Sequence, residues 1–91
     1  MWRIEFDAKV DKELARLAPK DRQRILRFLR ERVAPLGSPR ELGEALAGPL
    51  SGYWKYRVGD YRVIARIEDR QVTILVVRIG NRREVYRSYD S

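Results

Sequence analysis

The spacing of hydrophobic residues changes near Asp7, and this change predicts a strand followed by helices. Apolar and polar residues alternate over residues 2–6, as in a half-buried strand. From Asp7, which can cap a helix, apolar residues recur every three or four positions, as on one face of a helix. A second helix is predicted to begin at Pro19, and Pro35 and Gly37 are expected to end it.

Alternation returns in the second half of the chain and predicts strands separated by turns. The strand-like runs cover residues 53–58, 61–68 and 72–79, with a last short run at 84–87. Gly59-Asp60 forms a two-residue hairpin loop, and glycine in its first central position suits a type II′ turn. Residues 36–52 are the least regular stretch, which is expected to reach the core through Leu42, Leu46 and Leu50.

This order of elements predicts an α+β fold. An N-terminal strand precedes a two-helix hairpin and then an antiparallel β-meander, and the helices are expected to pack on one face of the sheet. The chain has 91 residues, which is the length of one small domain spanning residues 1–91.

The tight hairpin turn predicts which residues lie opposite each other in the sheet. Arg57 pairs with Arg62 on one face, Lys55 lies two residues along that face, and Arg66 lies further out. The nearest acid, Asp60, is in the turn, so no carboxylate is expected in the local cross-strand set. Unpaired cations held this close favour a site for a polyanion over a simple solvated basic face. The opposite face is predicted to join the core through Trp54, Tyr56, Val58, Tyr61, Val63, Ala65 and Ile67.

Composition narrows the chemistry that such a site can use. The formal net charge is +7, there is no His or Cys, and 16 of the 20 basic residues are Arg. Disulfides, thiol nucleophiles and His-containing triads are therefore excluded, while Arg suits phosphate recognition. A general preference for Arg would produce the same count. No apolar run approaches the roughly 18 residues of a membrane span, so a cytoplasmic protein with no membrane partner is expected.

Two weaker signals accompany the hairpin cluster. Arg82, Arg83 and Tyr86 follow Gly80 and could extend the site, although a basic loop before an edge strand would have the same sequence. The second helix carries an arginine-rich face, for which a solvated surface is the favoured interpretation.

Taken together, these segments resemble the RelE/ParE superfamily of toxins from type II toxin–antitoxin pairs. The resemblance spans nearly the whole chain. It rests on residues 8–17 (AKVDKELARL), 46–50 (LAGPL), 54–64 (WKYRVGDYRVI) and 78–86 (RIGNRREVY). It implies a RelE-like microbial RNase fold.

The resemblance also implies a function. RelE-like members look like ribosome-dependent endonucleases that cut mRNA in the A site, whereas ParE-like members inhibit DNA gyrase and lack the basic catalytic set. This sequence is similar to the first kind, with the second kind and a plain nucleic-acid-binding module as alternatives. The implied catalytic residues are Lys55, Arg57, Arg62, Arg82 and Tyr86, with Arg66 and Arg83 as further RNA-binding residues.

The implied chemistry requires no metal or cofactor, because the RNA 2′-OH attacks the adjacent phosphate. Arg57 and Arg62 would stabilise the phosphate, and Arg82 would act as general acid or as a further stabilising cation. The general base is left open between Lys55 and Tyr86, and Tyr86 could instead stack on a base. The implied partners are mRNA in the ribosomal A site, ribosomal RNA and a cognate antitoxin, whose acidic segment would wrap the toxin in a hetero-oligomeric complex.

Overall fold

A computed structural model describes residues 1–85 as two helices and a five-stranded sheet. The helices and strands, in chain order, are β1 (Arg3–Phe6), α1 (Ala8–Arg16), α2 (Pro19–Phe28), β2 (Glu44–Ala45), β3 (Trp54–Val58), β4 (Tyr61–Glu68) and β5 (Thr73–Asn81). The predicted α+β class is confirmed, and β1, β3, β4 and β5 begin and end within two residues of the predicted positions.

Both helices begin where the sequence predicts. The Asp7 carboxylate accepts a hydrogen bond from the Lys9 amide at 3.0 Å and so caps α1. Pro19 occupies the first turn of α2, where its missing N–H costs no hydrogen bond. A π-helical turn, Leu29–Val33, continues α2 to the point where Pro35 was predicted to end it.

The sheet has the strand order β1-β5-β4-β3-β2. β3, β4 and β5 form the predicted antiparallel meander, while β1 pairs in parallel with β5. The N-terminal strand therefore lies beside the last strand of the described chain. Its partner could not be identified from local pattern, because this pairing joins residues about seventy positions apart.

The helices cover one face of the sheet, as predicted. Val10, Ile25 and Leu29 are fully buried in one cluster with Tyr56 and Val63. Most of the predicted apolar face of β3 and β4 belongs to this core, but Trp54 and Tyr61 are only partly buried at its margin.

Ile64 was not predicted to be buried, yet it has no exposed surface. It lies opposite Lys55 and Arg78 on the face that carries the cations. A buried isoleucine side chain therefore lies among the cations of that face. Ile64 pairs with Arg78, but the next residue, Ala65, pairs with Val76. Val77 is therefore left without a partner on β4, as the extra residue of a β-bulge.

Two predictions about the loops are wrong. In the irregular segment Leu50 is buried and Leu46 half-buried, but Leu42 is 40% exposed and does not reach the core. The described part of the predicted run 84–87 is a turn, in which the Glu84 and Val85 amides both donate to the Asn81 carbonyl. Buried Val85 makes this segment look strand-like in sequence, although it closes a turn instead.

The buried phenol of Tyr56 makes a testable contribution to stability. Its hydroxyl donates to the Pro39 carbonyl at 2.7 Å, and burial raises the pKa of Tyr56 to about 12. An unfolded chain releases this proton near pH 10. Stability from the neutral phenol is therefore fully present below about pH 10 and is lost as the pH rises from about 10 to about 12.

We expect the free energy of unfolding of wild type to fall more steeply in this pH window than that of Tyr56→Phe. At pH 7, Tyr56→Phe is expected to be about 1–2 kcal/mol less stable, because the buried Pro39 carbonyl loses its donor. Urea unfolding at a series of pH values measures both effects. Tyr53→Phe, on a partly exposed residue, is the matched control. Parallel stability curves for wild type and Tyr56→Phe would contradict the assignment.

Candidate functional site

The β3–β4 hairpin turn has the predicted geometry. Gly59 has φ of +61°, and Asp60 is not among the residues with positive φ, as a type II′ turn requires. The predicted register follows, with Arg57 directly opposite Arg62 and Lys55 opposite Ile64. The structure therefore brings three of the predicted site residues to one end of one sheet face.

Arg62 is held in place by the turn beside it. Its Nη1 donates to the Gly59 carbonyl at 3.0 Å and to the Tyr61 carbonyl at 2.9 Å. These bonds orient the guanidinium without neutralising its charge. Arg62 is thus a prearranged cation rather than a freely moving surface side chain.

Glu44 corrects the expectation that the cluster contains no carboxylate. It lies opposite Lys55 in the β2–β3 ladder, and its two oxygens lie 3.3 Å from Lys55 Nζ and 3.5 Å from Arg57 Nε. Sequence pattern missed this residue because β2 contains only two residues and has no period of its own. Its partner is decided by how the irregular segment docks on the sheet.

Lys55 and Arg57 differ in how far they reach into solvent. The side chain of Lys55 is 17% exposed, whereas that of Arg57 is 63% exposed. Lys55 is therefore held along the sheet surface with its ammonium against Glu44.

The position of Glu44 depends on contacts made by the residues that precede it. The Arg40 guanidinium makes two hydrogen bonds to the Asp69 carboxylate, at 3.0 and 2.7 Å. It also lies 5.6 Å from the ring centroid of Trp54. The hydrogen bond from Arg40 holds the pKa of Asp69 below its usual range. These contacts fasten the segment that leads into β2 against β3 and β4.

Arg82 lies beside the hairpin turn, as the sequence suggested. Its amide donates to the Asp60 carbonyl at 2.9 Å, so its backbone packs against the turn that Arg62 also contacts. Arg83 follows in the same exposed turn, where its amide donates to Asn81 Oδ1 at 3.0 Å. Tyr86 lies outside the described residues, so its place in the site stays a prediction.

Arg66 is farther from this cluster and has a carboxylate partner. Its Nε and Nη2 lie 2.9 and 2.8 Å from Glu68 Oε1. This hydrogen bond raises the pKa of Arg66. An RNA phosphate would have to compete with Glu68 for this guanidinium.

Arg24 is a second residue that sequence analysis did not single out. A Cβ at Gly59 would lie 2.7 Å from Arg24 Nη1, so this guanidinium packs against the hairpin turn from the side of α2. The arginine-rich face of α2 was the available signal, but it did not show which residue reaches the turn. Arg24 therefore adds a cation beside Gly59.

The sequence matches the family model described as ParE toxin of the type II toxin–antitoxin system parDE, over residues 4–86. It is 26% identical to Toxin RelG of Mycobacterium tuberculosis, over 94% of this chain and 97% of the relative. It is 30% identical to Toxin RelE of the same organism, over 94% and 87% of the two chains.

The fold is similar to that of the RelBE2 toxin–antitoxin complex from Mycobacterium tuberculosis. The TM-score is 0.82 at 25% identity, over 89% of this chain and 91% of that chain. Within residues 1–85, every helix is too short or too polar to span a bilayer.

Proposed function

This chain belongs to the ParE toxin family of type II toxin–antitoxin systems, within the RelE/ParE superfamily, and we propose that it is a ribosome-dependent mRNA endonuclease. As a member of this family it is the toxin of a toxin–antitoxin pair. The observation that carries the proposed activity is the cluster at the hairpin end of the sheet. There Lys55 and Arg57 meet the carboxylate of Glu44, and Arg62 is held by the turn.

This arrangement suits cleavage by the 2′-OH of the RNA itself. Arg57 and Arg62 lie opposite each other and can bind the non-bridging oxygens of one phosphate, because Arg presents a planar fork that matches phosphate geometry. Fixed cations stabilise the charge that develops as phosphorus becomes five-coordinate. The RNA phosphate would also relieve the repulsion between the two guanidinium groups.

Glu44 is the proton acceptor that this site offers. A carboxylate among cations can take the proton of the 2′-OH while the 2′ oxygen bonds to phosphorus. The bond from phosphorus to the 5′ oxygen then breaks, which leaves a 2′,3′-cyclic phosphate and a 5′-hydroxyl. Lys55 orients Glu44 through their 3.3 Å ion pair and adds positive charge at the phosphate.

The leaving 5′ oxygen must receive a proton from the other side of the phosphate. Glu44 is on β2, at one edge of the sheet, while Arg82 follows β5, on the other side of Arg62. The acceptor and the predicted donor thus flank the phosphate-binding arginine. Arg82 remains the candidate for this step, and positioning by the ribosome supplies the rest of the alignment.

The proposal implies two kinds of partner, an antitoxin protein and RNA. The solved relatives include complexes of RelE toxins with the RelB antitoxin, and an antitoxin with an acidic segment would suit the +7 charge of this chain. The substrate is mRNA in the ribosomal A site, with ribosomal RNA as its neighbour. Both place the toxin in the cytoplasm.

Inhibition of DNA gyrase without catalysis is the second candidate, because the matching family model carries the ParE name. Gyrase inhibition requires no proton acceptor, no proton donor and no pair of phosphate-binding arginines at the hairpin end. The grouping of Glu44, Lys55, Arg57 and Arg62 favours the nuclease instead.

Induction of the toxin without its antitoxin separates the two candidates. We expect growth arrest, new 5′ ends within translated codons of mRNA, and normal supercoiling of a reporter plasmid. Mapping of 5′ ends and gel analysis of the plasmid measure these effects in the same culture. Untranslated transcripts are the internal control, since they should stay intact. Growth arrest with intact mRNA and relaxed plasmid would favour the gyrase inhibitor.

A further inference from the structure

A groove lies between α2 and the end of β3 at the hairpin turn, next to the cleavage cluster of Glu44, Lys55, Arg57 and Arg62. Apart from Arg57, its residues have no role in the mechanism above. It has a volume of about 420 Å³, within the roughly 300–1,000 Å³ of sites for small ligands. We call it the α2–β3 groove. Its charged and aromatic lining consists of Arg24, Arg27, Phe28, Glu31, Arg32 and Arg57.

The arginines on the helix side of this groove lack carboxylate partners. Arg24, Arg27 and Arg32 form no ion pair with any residue in the range 1–85, whereas Arg40 and Arg66 each bind a carboxylate. Arg24 and Arg27 are three positions apart on one helix, where like charges repel. An anionic ligand in the groove would remove this repulsion.

The apolar part of the groove is small, which distinguishes between possible ligands. Phe28 is partly buried against the core and contributes the one aromatic ring, with Val58 beside it. A bound protein helix needs several apolar contacts spaced along its face. A single ring among arginines is instead the combination that binds single-stranded nucleic acid, with a base on the ring and phosphates on the cations.

Arg57 connects the groove to the cleavage cluster. It lines the groove, and its Nε lies 3.5 Å from Glu44. An RNA strand with its reacting phosphate at Arg57 and Arg62 can therefore continue directly into the groove. β2 pairs with β3 only as far as Lys55, so no strand of the described chain blocks this path beside Arg57.

We propose that the α2–β3 groove is a subsite that binds one nucleotide of single-stranded RNA next to the cleaved phosphate. The base contacts Phe28, and the phosphate contacts Arg27 and Arg32. This inference rests on the proposed nuclease function, and it adds a substrate contact on the helical side of the molecule.

Binding of a short RNA that cannot be cut tests the subsite. The probe is a 2′-O-methyl pentanucleotide, measured by fluorescence anisotropy with the full chain. We expect Arg27→Glu with Arg32→Glu to weaken binding by about tenfold or more, because phosphate contacts are lost and charge is reversed. Arg3→Glu with Arg70→Glu is the matched control, since both residues are exposed, outside the groove and at the opposite end of the sheet, and it is expected to change binding by less than about threefold.

Phe28→Leu tests the base contact while keeping an apolar side chain in the core. We expect it to weaken binding of the pentanucleotide by about fivefold. Phe28→Leu should not change binding of an abasic pentanucleotide, which has the same sugar–phosphate backbone but no bases. Thermal unfolding of each variant confirms that it remains folded. If Phe28→Leu lowered the affinity for the normal and abasic pentanucleotides equally, the base contact would be overturned. Phe28 would then affect binding only through the shape of the groove.

Two outcomes overturn the subsite as a whole. One is a groove variant that binds the pentanucleotide as tightly as the Arg3 and Arg70 control. The other is a groove variant that loses affinity for a polyglutamate peptide but not for RNA, which would identify the groove as a surface for an acidic protein. Cleavage of mRNA on ribosomes by the wild type is measured in parallel, so that failure of the nuclease proposal can be distinguished from failure of the subsite proposal. If the wild type binds the RNA but does not cleave mRNA on ribosomes, the nuclease proposal is contradicted and the subsite proposal is not.

Discussion

Replacing Arg57 and Arg62 together with alanine is expected to lower ribosome-dependent mRNA cleavage by about 10⁴-fold. Loss of one prearranged donor of positive charge to a developing anion typically costs about 10²–10³-fold in rate. The two arginines lie opposite each other and would bind the same phosphate, so their losses are expected to combine, although not in a strictly additive way. The rate is measured from the appearance of cut 5′ ends in a purified translation system.

A control with the same change in charge is available within this chain. Arg3 and Arg70 are both exposed and lie at the opposite end of the sheet, where β4 leads into β5, and replacing both with alanine is expected to leave the rate within about threefold of wild type. Arg62 also contacts the turn, so thermal unfolding and antitoxin binding must be measured on the double variant. A folded Arg57→Ala/Arg62→Ala protein that still cuts within tenfold of wild type would show that these arginines do not act on the phosphate.

Replacing Glu44 with glutamine is expected to lower the cleavage rate by about 10²-fold or more while leaving RNA binding unchanged or slightly tighter. Glutamine keeps the size of the side chain and can still accept a hydrogen bond from Lys55, but it cannot take a proton. Removal of the negative charge also leaves Lys55 and Arg57 more available to phosphate. The prediction is therefore a loss in kcat without a loss in affinity, measured by single-turnover cleavage and by anisotropy.

Glu41→Gln is the matched control, since Glu41 is exposed nearby in the chain but is not part of the cluster. Glu44→Asp keeps the carboxylate and is expected to recover part of the rate. Faster cleavage by Glu44→Gln would mean that Glu44 only neutralises the cations of the free toxin, and the proton acceptor would then have to be sought at Lys55 or Tyr86.

The hairpin register was predictable because a two-residue turn leaves the strands one way to pair. Gly59 can adopt the positive φ that the turn needs, and alternation then places Lys55, Arg57 and Arg62 on one face. The helix starts were equally local, since Asp7 and Pro19 act on the backbone within their own first turn. These features depend on residues that are close neighbours in the chain.

The carboxylate in the cluster was not predictable in the same way. Glu44 belongs to a two-residue strand, which shows no alternation, and the contacts of Arg40 with Asp69 and Trp54 that position it join distant parts of the chain. The site therefore differs from the expected one in having a carboxylate among its cations. Leu42, in the same irregular segment, was wrongly predicted to reach the core. Again, no regular alternation showed which side chains of this segment point inward.

Local sequence pattern was enough to locate α1, α2, β1 and the β3–β5 meander, together with the hairpin and the three cations on its face, because period, caps and a tight turn act over a few residues. Three contacts could not be predicted from local pattern: β1 beside β5, Glu44 with Lys55 and Arg57, and Arg24 against Gly59. Each of these contacts joins segments separated in the chain, and packing of the whole core selects among the partners that local patterns leave open.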